Sequence, residues 1–119
     1  MLREESFESV RTISSDRGKL LTRLREIVTR MEEATPEVVE VRLLGSVARQ
    51  TETGASDFDL LVLLRDEPND RVEWTQRLLQ YFDLPVGVDL LIYGEGEFRT
   101  GLSKGNPVFR RMSAESKPL

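Results

Sequence analysis

The amino-acid sequence predicts an α/β (α+β) fold, with a small mixed sheet of three to four strands and helices packed on it. Three short runs of aliphatic and β-branched residues are bounded by turn-forming residues, as strands are. An amphipathic helical stripe precedes the first run, and another separates the second run from the third.

The first helix is predicted from Arg17 to about Ala34. Its apolar residues recur at intervals of three and four, and Pro36 ends the pattern. Residues 1–16 are more weakly patterned and are expected to form at most a short separate helix. The Ser-Ser-Asp cluster at 14–16 is typical of an N-cap, so the main helix is predicted to start after it.

Three strands are predicted, at 38–44, 57–64 and 86–93. Charged residues alternate with apolar ones in the first strand, which predicts one partly exposed face. Beyond Asp59 the second strand is apolar on both faces, which is typical of a central strand. The short link between the first two strands favours an antiparallel pair.

A helix is predicted at 69–82, with Asn69 or Asp70 as its N-cap. Because this long helical crossover connects the second and third strands, those strands are expected to run parallel. Two short helices are expected at 94–104 and 107–112, the second opening on a proline suited to a first helical turn. The tail that follows them is expected to be frayed.

The composition restricts the function. The 119 residues are expected to form one domain, 1–119, with its core at about 17–112. Apolar residues make up 39% and charged residues 32%, which suits a globular protein with a charged surface. The net charge of −4 argues against a broad basic surface, so direct binding of nucleic acid is not expected. A local cluster of donors can still bind a small anion.

The chain contains neither cysteine nor histidine. Disulfides and thiolate metal sites are therefore excluded, and a metal would be held by oxygen atoms. Oxygen ligands favour Mg²⁺, Mn²⁺ or Ca²⁺ over zinc. The longest apolar run, around Leu60–Leu64, is too short to span a membrane, and the acidic N-terminus does not resemble a signal peptide. A cytoplasmic location is the expectation.

Three aspartates carry the strongest chemical pattern. Asp57 and Asp59 are residues i and i+2 of a strand, so their side chains share a face, roughly 6.5–7 Å apart at the backbone. Asp89 interrupts the apolar run VGVDLLIY, where a carboxylate is costly unless it is paired or bound to a metal. If the third strand lies beside the second, the three carboxylates converge.

A Gly-Ser pair at the end of the first strand completes the pattern. Gly45 lets the backbone turn sharply and lets a ligand approach it. Ser46, at the start of a predicted helical turn, offers a hydroxyl and backbone N–H groups to a phosphate. An antiparallel pair of the first two strands would bring this turn beside the carboxylates. Such a site fits a metal-bound triphosphate.

These residues also have simpler interpretations. The two aspartates of the second strand can be ordinary strand-start residues, and the Gly-Ser pair a plain turn with a helix cap. Asp89 can be neutralised by Arg42 in a structural ion pair. Arg49 either contacts phosphate or is a solvated helix residue. A solvated surface is also the favoured interpretation of the basic residues near the C-terminus, which are Arg99, Lys104, Arg110 and Arg111.

Taken together, these motifs resemble the DNA polymerase β-type nucleotidyltransferase superfamily, and within it the minimal nucleotidyltransferase (MNT) group. The resemblance covers about residues 38–93, with the flanking helices in the expected order. It is carried by G-S-x-A-R, by D-x-D-L-L-V and by a third Asp in a later apolar strand. Gln50 departs from the pattern, because the family usually has a second glycine there.

The resemblance implies a nucleotidyltransferase fold and an in-line attack of an acceptor on the α-phosphate of ATP, with loss of pyrophosphate. It also implies roles for individual residues. Gly45 and Ser46 would bind the phosphates, with Arg49 as a candidate phosphate contact. Asp57 and Asp59 would bind Mg²⁺ or Mn²⁺. Asp89 would be the third metal ligand or the general base.

The chain is only as long as a catalytic core, so a partner is expected to provide the acceptor. The resemblance to the MNT group implies a HEPN-domain toxin, adenylylated at a tyrosine within a hetero-oligomer, which would make this protein an antitoxin. Two alternatives stay open: a non-catalytic antitoxin that neutralises its partner by occlusion, and a small-molecule nucleotidyltransferase of the antibiotic-modifying kind. Nucleic-acid polymerisation is the least favoured function.

Overall fold

A computed structural model describes the backbone at 8–44 and 58–119, and the side chains at 18–44 and 58–119. The elements in chain order are α1 (Glu8–Ala34), β1 (Val38–Leu44), β2 (Phe58–Leu64), α2 (Arg71–Leu79), β3 (Val88–Gly94), α3 (Glu95–Ser103), α4 (Pro107–Glu115) and β4 (Ser116–Pro118). Several residues singled out in the sequence lie outside the described part, namely Gly45, Ser46, Arg49, Gln50 and Asp57.

The strands of the described chain form one mixed sheet in the order β3-β2-β1-β4. β1 runs antiparallel to β2 and to β4, and β2 runs parallel to β3. The predicted fold class and both predicted strand directions are confirmed. The reason is the connectivity: α2 returns the chain to the same end of the sheet, which a parallel pair requires.

Alternation along the strands divides the core between the two faces of the sheet. The core between the sheet and helices α1 and α2 consists of Leu24, Val28, Met31, Val38, Val41, Phe58, Leu60, Val62, Leu64, Leu78, Leu90 and Ile92. The face under α3 and α4 carries Leu44, Leu61, Leu63 and Phe98, with Leu91, Tyr93, Leu102, Phe109 and Met112 packed against them. Burial of each large apolar side chain stabilises the fold by roughly 1.5–3 kcal/mol. β2 is thus the central strand that its two-sided apolar pattern predicts.

The first helix is longer than predicted. α1 is continuous from Glu8, so the expected break at 14–16 is wrong. Serine and aspartate favour N-caps, but inside a helix each costs only about 0.5 kcal/mol relative to alanine. Propagating an existing helix is also far easier than nucleating a new one. The C-terminal half, fixed to the core by Leu24 and Met31, therefore extends through the polar cluster.

The end of the chain also differs from expectation. α4 continues to Glu115, and Ser116–Pro118 then forms β4 on the outer edge of β1, so the expected fraying is wrong. The segment has no strand pattern of its own. It pairs because the outer edge of β1 offers backbone groups that need partners. The Leu119 N–H extends the pairing by donating to the Val41 carbonyl at 3.2 Å.

The starts of α2 and α4 agree with the predictions for Asp70 and Pro107. Asp70 is the N-cap of α2, and its Oδ1 accepts a hydrogen bond from the Glu73 N–H at 3.1 Å. Pro107 lies in the first turn of α4 after the N-cap Asn106. Both caps satisfy N–H groups that a helix start leaves without partners. In the described residues, no helix is both long and apolar enough to cross a membrane.

Candidate active site

The parallel pair of β2 and β3 places two of the predicted aspartates side by side. Asp59 is the register partner of Asp89, and neighbouring strands lie about 4.8 Å apart. Phe58 and Leu60 belong to the core under α1 and α2, whereas Leu61 belongs to the core under α3 and α4. By alternation, Asp59 lies on the α3/α4 face, and Asp89 shares that face with it.

The two carboxylates differ in their exposure to solvent. Asp59 is half-buried and Asp89 is exposed. Each is the second residue of its strand, whereas the aromatic cluster of Tyr93, Phe98 and Phe109 packs near the far end of β3. Because Tyr93 lies four residues beyond Asp89, the cluster is about 13 Å from the carboxylates along the strand.

The end of β1 lies at the same level of the sheet. Leu43 pairs with Leu60. Because the strands are antiparallel, the next residue of β1, Leu44, comes beside the preceding residue of β2, Asp59. On its other side Leu44 pairs with Ser116 of β4. Gly45 is bonded to Leu44, and consecutive Cα atoms are about 3.8 Å apart. The strand that leads into the Gly-Ser motif therefore ends next to the carboxylate pair.

Arg42 is engaged away from Asp89. Its Nε donates to the Ser116 hydroxyl at 2.7 Å and its Nη2 to the Ser116 carbonyl at 3.1 Å, while its Nη1 binds a Glu40 carboxylate oxygen at 2.7 Å. These bonds direct the guanidinium towards β4, at the opposite edge of the sheet from β3, which carries Asp89. The alternative in which Arg42 neutralises Asp89 is therefore wrong. Sequence reasoning missed its real role because β4 has no strand pattern.

The basic residues of the C-terminal helices behave as a solvated surface. Arg99 pairs with Glu95 at 2.9 Å, and Arg111 with Glu115 at 3.3 Å, both one helical turn apart. The two arginines are 74% and 72% exposed, so each pair contributes little to stability. These helical ion pairs support the solvated interpretation over phosphate binding for these two residues.

The described carboxylates fit a divalent cation. Two carboxylates on adjacent strands, on one face and level with each other, can direct oxygen atoms to a common point, and oxygen is the ligand that Mg²⁺ and Mn²⁺ prefer. Within residues 18–44 and 58–119 no group of three acidic, His or Cys side chains that could hold a metal is present. The third predicted ligand, Asp57, lies outside those ranges.

Comparison with known proteins gives one match. The family model of the nucleotidyltransferase domain matches residues 22–113, which cover α1 from Thr22, the sheet up to β3, and the helices on both faces. No curated protein and no solved structure matches the chain. Domains of this family transfer nucleotidyl groups and generally use a nucleoside triphosphate and a divalent metal. The chain therefore belongs to the nucleotidyltransferase domain family, within the DNA polymerase β-like superfamily.

Proposed function

We propose that this protein is a Mg²⁺-dependent transferase that moves AMP from ATP to a tyrosine of a HEPN-domain toxin in the cytoplasm, and so acts as an antitoxin. The observation that carries the transfer chemistry is the in-register pair of Asp59 and Asp89 on one face of the sheet, at the starts of β2 and β3. The family match supports nucleotidyl transfer in general. The choice of acceptor depends on the resemblance of the motifs to the MNT group.

The proposed roles follow from the resemblance of the motifs to the superfamily. Asp57 and Asp59 would hold the metal, with Asp89 as a further ligand that also acts on the acceptor; the metal would neutralise phosphate charge and stabilise the attacking and leaving oxygens. Gly45 and Ser46, with Arg49 nearby in sequence, hold the triphosphate through N–H groups, a hydroxyl and a guanidinium.

Asp89 is proposed to act on the acceptor. The acceptor hydroxyl oxygen bonds to the α-phosphorus while the bond from that phosphorus to the bridging oxygen of the β-phosphate breaks. Asp89 takes the hydroxyl proton, and pyrophosphate carries away the negative charge of the leaving oxygen. Asp89 lies on β3, at the edge of the sheet beside β2. This position at the edge favours contact with an acceptor that approaches from outside.

The exposure of the site supports a macromolecular acceptor. Asp89 is exposed and Asp59 half-buried, so a side chain of another protein can reach both from solvent. This accessibility is consistent with a protein side chain as the acceptor.

The test is transfer to the purified HEPN partner. With ATP and Mg²⁺, the mass spectrum of the partner is expected to gain the mass of an AMP group on a tyrosine. Asp59→Asn and Asp89→Asn are expected to reduce the rate by at least about 100-fold, because each removes charge from the metal or base position. Asp83→Asn, an exposed residue after α2, is the matched control and should keep the wild-type rate.

Two results decide between the functions. No added mass with the wild-type protein would refute transfer to this partner. If Asp59→Asn still neutralises the toxin in cells, the protein acts by occlusion and not by catalysis.

A further inference from the structure

We propose that Arg42 and the C-terminal strand β4 hold the end of β1 and thereby position the Gly45-Ser46 motif for the nucleotide phosphates. The inference depends on the proposed function, because the position of this motif matters for activity only if the site binds a nucleotide. Arg42 and Ser116 are positioning residues in this scheme and do not touch the nucleotide.

β4 covers only the part of β1 that leads into the motif. Its pairs are Pro118 with Arg42, Lys117 with Leu43, and Ser116 with Leu44. The last pair lies immediately before Gly45. Without β4 the end of β1 would be an edge held by β2 alone, and edge residues with few partners are the first to open.

A guanidinium fork reinforces the last pair. Arg42 Nε donates to the hydroxyl of Ser116 at 2.7 Å, and Nη2 donates to the carbonyl of the same residue at 3.1 Å. Nη1 binds Glu40 at 2.7 Å, which fixes the arginine to its own strand. Ser116 is only 7% exposed, so these bonds are protected from water. Lysine has no comparable planar fork and cannot replace all three bonds.

The geometry connects this fork to the candidate site. Leu44 lies between Ser116 on one side and the level of Asp59 on the other. A shift of the end of β1 therefore moves Leu44 relative to Asp59. Displacements of about 1 Å in a positioning element can change rates by about 100-fold. A small displacement caused by loss of the fork is therefore expected to weaken nucleotide binding.

A second arginine provides a matched control. Arg71 donates from Nε to the Ile92 carbonyl at 3.0 Å and binds Glu97 at 2.6 Å. It therefore makes bonds of the same kind as Arg42, but at the C-terminal end of β3. Its removal should lower the stability of the fold without changing the end of β1.

The experiment compares nucleotide affinity with stability in the full chain. The dissociation constant of ATP with Mg²⁺ is measured by titration calorimetry, at a temperature where circular dichroism shows each variant folded. Arg42→Met is expected to weaken binding about tenfold, and Arg42→Lys by less, because the lysine keeps one bond. Arg71→Met and Lys117→Ala are expected to stay within about twofold of the wild type.

Each outcome decides the matter. Unchanged affinity in folded Arg42→Met overturns the inference, and so does an equal loss in Arg71→Met, which would show a general effect of stability. If the wild-type protein binds no ATP, the proposed function fails instead. Hydrogen exchange then tests the positioning alone: faster exchange at Leu43 and Leu44 in Arg42→Met, with Ile92 unchanged, supports it, and unchanged exchange at the two leucines overturns it.

Discussion

Asp59 interrupts an otherwise buried strand. Every other residue of β2 is buried and Asp59 is half-buried, so its carboxylate has to be compensated by polar or charged groups. The sequence already distinguishes Asp59 and Asp89 by their apolar surroundings. It does not give their register, because a helical crossover of given length allows several alignments of two parallel strands. Their alignment at one level is therefore a finding of the structure.

Glu32 provides a pH-dependent prediction at the residue scale. Burial raises the pKa of the Glu32 carboxyl, and the negative charge of Glu40 raises it further. Because the pKa is higher in the folded than in the unfolded protein, protonated Glu32 stabilises the fold at low pH. That contribution is lost as the pH rises through the folded-state pKa.

At pH 7, Glu32→Gln is therefore expected to raise the free energy of unfolding in urea, by only about 0.3 kcal/mol because the side chain is partly solvated. The gain should vanish towards pH 4. Glu33→Gln, at the exposed neighbouring position, is the control. A Glu32→Gln protein less stable than the wild type at pH 7 would contradict this assignment.

Gly94 gives a second prediction, since the loop after β2 lies against it. A Cβ on Gly94 would come 2.7 Å from the Glu67 Cα, and backbone atoms cannot move aside as a side chain can. Gly94→Ala is expected to lower the free energy of unfolding by about 1–3 kcal/mol. Gly96→Ala, in the first turn of α3 with nothing within 4 Å of its Cβ, should be neutral or slightly stabilising. Equal thermal midpoints for the two variants would disprove the close approach.

At the scale of elements, local patterns identified the helices and strands whose own sequence is periodic. These patterns failed where contacts with other parts of the fold determine the secondary structure. α1 passes through a cluster that resembles a cap, because the packed half of the helix carries the rest. β4 forms from residues 116–118, which have no strand pattern, because the edge of β1 is available. The order of α2, β3 and α3 could be predicted from the local sequence pattern alone.

The continuity of α1 can be tested with proline. If a new helix began after a cap at Ser15, Asp16 would be its first residue, where proline is well tolerated. In a continuous helix, Asp16→Pro costs about 3 kcal/mol and disrupts the N-terminal turns. Circular dichroism at 222 nm (chosen because it reports helix) should therefore lose signal relative to Asp16→Ala. Equal signals would favour two separate helices.

At the scale of the whole molecule, helices cover both faces of the sheet, and the carboxylate pair lies at the strand starts on one of them. The fold class was predictable because it depends on periodicity. Asp59 and Asp89 could be singled out by their residue type in apolar strands, and their role as metal ligands stays a prediction. The place of β4 depends on which strand edge offers a partner, and a pattern along the chain does not carry that information. The role of Arg42 was hidden for the same reason, since its partner Ser116 is 74 residues away.

The most direct test of the carboxylate pair is paramagnetic broadening of backbone NMR signals by Mn²⁺. If Asp59 and Asp89 bind one cation together, substoichiometric Mn²⁺ should broaden the amide signals at the starts of β2 and β3 simultaneously, and excess Mg²⁺ should restore them. Asp59→Asn combined with Asp89→Asn should abolish the effect, and Asp83→Asn should not. Broadening at only one of the two strands, or broadening that survives the double substitution, would contradict a shared metal site.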